Sequence, residues 1–103
     1  MKTKEELEKL VEELTEKYKE YSSIKDISLE YQEEDEEYYI SIGLAKVDSR
    51  AQATSAQYNY LAGLKNTSWR ANGHIRQASK AAVSACISMV KENPEVDFWF
   101  YRY

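Results

Sequence analysis

The last ten residues, Pro94-Glu-Val-Asp-Phe-Trp-Phe-Tyr-Arg-Tyr103, constrain the chain most. They hold five of its thirteen aromatic residues (two Trp, nine Tyr and two Phe in all), and aromatics of this kind favour strands. Strand side chains alternate between two faces. Val96, Phe98 and Phe100 therefore point one way, and Asp97, Trp99, Tyr101 and Tyr103 the other. Both faces are apolar or aromatic, which predicts a strand inside a sheet. One face lies on the core and the other is presented to something else.

The other elements follow from spacing. Thr3-x-x-Glu6 is a capping box, and Leu7, Leu10, Val11, Leu14, Tyr18 and Tyr21 recur at helical intervals. A helix over 4–20 is predicted, with Glu5–Lys9 and Glu13–Lys17 as i,i+4 pairs. Its spacing also suits a coiled coil, but over two heptads only, so packing on a core is expected. Ile27, Leu29 and Tyr31 alternate with Ser28, Glu30 and Gln32, the pattern of a half-buried strand. Glu33-Glu34-Asp35-Glu36-Glu37 cannot be buried and reads as a solvated hairpin turn. A second strand over 38–46 places Ile40, Ile42 and Leu44 on the core and Tyr39, Ser41 and Gly43 opposite.

Asp48 or Ser49, with Ser49-x-x-Gln52 as a second capping box, predicts a helix over 50–63; a strand around Tyr58–Leu64 is the competing reading. Asn66-Thr67-Ser68 reads as a turn. Asn72 is expected to cap a last helix with the stripe Ile75, Ala78, Ala82, Cys86 and Met89 or Val90, which Asn93-Pro94 stops. The order is α-β-β-α-α-β. An α+β fold is expected, with a three-stranded, mostly antiparallel sheet and helices mainly on one face, over residues 1–103 as a single domain.

Charge is uneven. Residues 1–38 carry fourteen Asp/Glu and six Lys/Arg, and residues 39–103 four and eight, giving −8 and +4 within the total of −4. No apolar run approaches the ~18–20 residues of a membrane span. A single cysteine, Cys86, forms no internal disulfide, and a reducing, cytoplasmic setting is expected.

Chemistry-bearing motifs are few. His74 is the one histidine, so a Cys/His zinc cluster cannot form. No Gly-rich phosphate loop, nucleophile elbow or HExxH is present. Cys86 lies on the helix stripe, as expected of a buried, inert thiol. Residues 74 and 86 on one continuous helix would stand about 18 Å apart, too far for a Cys–His pair. The carboxylates sit in exposed runs, poor ground for the pKa tuning of acid–base catalysis. The chain is expected to be neither an enzyme nor dependent on a cofactor.

A binding role remains. Tyr39, Trp99, Tyr101 and Tyr103, with Arg102 at the strand's end, are expected to form an aromatic binding surface of the kind that supplies interface hot spots. The acidic turn, Glu34, Asp35 and Glu36, would steer a basic protein partner toward it. The size and acidity are shared with small inhibitor proteins, phage-type anti-defence proteins among them. A second reading stacks single-stranded nucleic acid on the same rings, with Arg70, Arg76, Arg102 and Lys80 as cations. The negative total charge opposes it. A third is a structural or designed domain without a specific partner. A monomer or small homo-oligomer is expected.

Overall fold

A computed structural model describes residues 2–69 and 75–103. Helix α1 spans Lys4–Tyr18, strand β1 Ile24–Gln32 and strand β2 Glu37–Leu44. After a 3-10 turn at Ser49–Ala51 come helix α2 at Ser55–Ala62, strand β3 at Thr67–Trp69, helix α3 at Lys80–Glu92 and strand β4 at Phe98–Arg102. The expected cap at Asn72-Gly73, together with Arg70 and His74, lies outside the described residues.

The fold is α+β, but the sheet differs from the expectation. It has four strands in the order β1-β2-β4-β3. Only β1 and β2 pair antiparallel, with Ile27 opposite Ile42 and Leu29 opposite Ile40. Strand β4 runs parallel to both its neighbours, β2 and β3. Long crossovers explain the direction. Helical segments separate β2 from β4 and β3 from β4, and a strand–helix–strand connection returns the chain parallel. Strand β4 is interior, as its two apolar faces require.

The added strand, β3, occupies the expected turn at 66–68. Three residues are too few for an alternating pattern. Asn66 fixes the place: its Nδ2 donates to Asn93 O at 3.2 Å and Val96 O at 2.9 Å, and its carbonyl accepts from Phe98 N at 3.0 Å. One residue, through its side chain and its carbonyl, thereby ties the end of α3 and the start of β4 to the start of β3.

Helix α1 begins on the expected capping box, with Glu6 N donating to Thr3 Oγ1 and Thr3 N to Glu6 Oε1. The hydrogen bond from the Thr3 backbone N–H, followed by one with the Thr3 side chain, holds the Glu6 carboxyl below its ordinary value. Leu7, Leu14 and Tyr18 are buried. Lys17, expected to pair with Glu13, reaches Glu92 of α3 at 3.7 Å instead.

Both later helices start late, for one reason. On either side of the 3-10 turn the backbone is tied to residues 77–79: Val47 N donates to Gln77 O, Ala53 N to Ala78 O, and Gln52 bridges Ser79. Backbone paired this way cannot also be helical. Helix α2 therefore opens on a different box, Thr54-x-x-Gln57, and α3 on Ser79, whose Oγ accepts from Ala82 N at 3.0 Å. The competing strand at Tyr58–Leu64 does not form. The apolar stripe still holds. Ile75, Ala78, Ala82, Cys86, Met89 and Val90 are all buried, the first two through the turn before α3.

The three described helices send their buried side chains into one core with Ile40, Ile42, Phe98 and Phe100. The opposite face of the sheet carries none of the described helices.

Candidate functional site

Pairing register builds that outer face in rows. Ser41 of the second strand lies between Ser28 and Trp99, with Ser68 on the far side of Trp99. Gly43 lies between Asp26 and Tyr101. Tyr39 is opposite Glu30. The central strand thus offers small residues where the aromatic strand offers large ones, and the rings lie over them. Ser41 is buried, the one buried polar residue among the described residues. A Cβ on Gly43 would stand 2.7 Å from Tyr101 Oη and 3.1 Å from Tyr103 Cδ1.

The predicted aromatic residues come together. Tyr39 and Trp99 form a ring pair with centroids 4.9 Å apart, inclined at 38°. Tyr39, Trp99 and Tyr101 are half-buried, and Tyr103 is exposed. Arg102 is exposed at the strand's end. The second helix does not cover this face. Instead Tyr58 and Leu61 of that helix are in the core, and Tyr60 stands in solvent beside Lys91, whose Nζ is 5.7 Å from the ring centroid.

Glu33–Glu36 forms the exposed turn of the β1–β2 hairpin, and Glu36 takes a left-handed φ of 53°. The turn is not remote from the rings. A cleft of about 190 Å³ is lined by Asp35, Glu37, Asp97, Tyr39 and Trp99 among others. A second groove of about 300 Å³ shares Asp35, Glu37, Tyr38 and Asp97 with it, and runs past Glu36 and Glu95 to Leu7 at the start of the first helix. Glu34 lines neither. Asp97 and Glu37 are the members that sequence reasoning missed. Asp97 was placed on the outer face by alternation, but its closeness to the turn depends on the parallel register, in which Ile40 N donates to Asp97 O at 2.9 Å.

No ion pair within 4 Å involves Asp35, Glu36, Glu37, Glu95 or Asp97 among the described residues. No three of the described His, Cys, Asp and Glu residues are grouped so as to hold a metal ion. Cys86 is fully buried, and burial pushes its thiol up, away from reactivity. Of the cations named for a nucleic-acid site, Arg76 and Lys80 lie away from the rings. The Arg76 guanidinium lies over Tyr58, 4.9 Å from its centroid, and Lys80 opens α3, both on the helical side.

No described helix is long and apolar enough to cross a membrane. The chain matches no protein-family model, and neither curated proteins nor solved structures yield a match.

Proposed function

We propose that this is a small non-catalytic protein that binds another protein through the outer face of its sheet, in the manner of an inhibitor, within the cytoplasm. The observation that carries the reading is the Tyr39–Trp99 pair, half-buried on a face that none of the described helices covers and lining one cleft with Asp35, Glu37 and Asp97. Aromatic area of this kind is what interfaces bury at their centres. Carboxylates at its margin speed encounter with a basic partner and repel phosphate backbones. The same margin counts against single-stranded nucleic acid, whose affinity depends on phosphate contacts.

Affinity capture from lysate, with and without nuclease, tests the reading. Protein retained equally in both arms supports it. Retention that nuclease abolishes would favour the nucleic-acid reading.

A further inference from the structure

The cleft at the end of the sheet has two kinds of wall. Tyr39 and Trp99, paired at 4.9 Å, form one. Asp35 and Glu37 of the hairpin, with Asp97 at the start of β4, form the other. No lysine or arginine among the described residues lines it. The two walls come from three places in the chain and meet only because β4 lies parallel beside β2, with Phe98 opposite Ile40 and Trp99 opposite Ser41.

We propose that this cleft takes an arginine side chain from a basic segment of the protein partner. This rests on the protein-binding reading and names what its recognition contact is. A planar guanidinium stacks on aromatic faces while its five N–H donors fork to carboxylates around its edge. The cleft supplies both surfaces together. A compact ammonium uses the carboxylates but gains less from the rings. A metal ion needs ligands converging on one point, and no such group occurs among the described residues. The groove past Glu36 and Glu95 continues the negative lining from the same cleft until it reaches Lys2 and Leu7 at its far end, so a neighbouring basic residue of the segment has carboxylates to meet on the stretch before Lys2.

The test uses a fluorescent arginine–serine peptide, with citrulline and lysine versions of the same length, read by anisotropy. Citrulline keeps the planar shape without the charge. The arginine peptide binds at least about tenfold tighter than the citrulline one, and tighter than the lysine one. General attraction to an acidic protein is separated by two variants with equal charge change. Asp35→Asn with Asp97→Asn alters the cleft, whereas Glu33→Gln with Glu34→Gln alters the turn outside it. The first pair should weaken arginine binding about tenfold and the second less than about threefold. Trp99→Phe, which keeps a smaller ring, should reduce the preference for arginine over lysine. Equal losses from the two charge variants would overturn the arginine contact. Lysate capture reads the face separately. Protein retained by Asp35→Asn/Asp97→Asn as by the wild type overturns the arginine contact and leaves the face standing. A single-stranded oligonucleotide that outcompetes the arginine peptide, and is lost with Trp99→Phe, overturns both.

Discussion

The Tyr101 hydroxyl donates to Asp26 Oδ2 at 3.0 Å, across the width of the strand between them. The ring reaches that far because it passes over Gly43, where a Cβ would come within 2.8 Å of Tyr101 Cζ. A backbone without a side chain on β2 thus sets the conformation of a β4 ring and ties three strands together on the outer face. Gly43→Ala should displace the ring, break the bond to a charged acceptor and cost about 1–3 kcal/mol. In a Tyr101→Ala background only the exposed Tyr103 ring still crowds that Cβ and it can give way, so the same substitution should cost under about 0.5 kcal/mol. Urea unfolding of the four proteins measures this; an equal cost in both backgrounds would refute the relationship.

Glu36 is a different backbone case. Its φ of 53° is unfavourable for a residue with a Cβ, and it stands among like charges. Glu36→Gly should raise stability by about 1 kcal/mol, a rise of about 4–8 °C in melting temperature for a domain of this size. Glu36→Gln relieves only the charge and should gain less. A melting temperature unchanged by glycine would mean that the turn stores no strain.

Leu14 joins α1 to the sheet of its own chain. It is buried with Leu7 and Tyr18 in the core that includes Ile40. Leu14→Ala should cost about 2–5 kcal/mol, and Leu14→Asp should unfold the protein. Wild-type melting of Leu14→Asp, with a change from dimer to monomer in sedimentation, would show instead that the stripe is a coiled-coil seam.

Cys86 has no accessible surface, and burial raises its thiol pKa. Thiolate is the reactive form. A thiol reagent should therefore label the folded protein only as fast as it unfolds. Raising the pH past the ordinary thiol value of about 8.5 should not restore fast labelling. Rapid native-state labelling would contradict the burial.

Much of this was legible in the sequence. Alternation in 96–101 assigned Phe98 and Phe100 to the core and Trp99 and Tyr101 to the outer face, and β4 is interior as two apolar faces demand. Thr3 and Glu6 marked the start of α1. What failed was non-local. The delayed starts of α2 and α3 follow from backbone pairing between 47–53 and 77–79, which no periodicity records. Thr54-x-x-Gln57 was a readable box passed over for Ser49-x-x-Gln52. Strand β3 is three residues long, and its place depends on Asn66 reaching the end of α3 and the start of β4. The parallel direction was available from the long crossovers. Missing it concealed how Asp97 and Glu37 close a cleft around Tyr39 and Trp99.

The most direct measurement on the proposed face is capture of lysate protein by Tyr39→Ala and Trp99→Ala, alongside their thermal melts. Both side chains are half-buried, so each variant should lose less than the about 3–5 kcal/mol of a core aromatic truncation and remain folded at assay temperature. Both should fail to retain the protein that the wild type holds after nuclease treatment. Folded variants that retain the same protein as the wild type would contradict a binding role for this face.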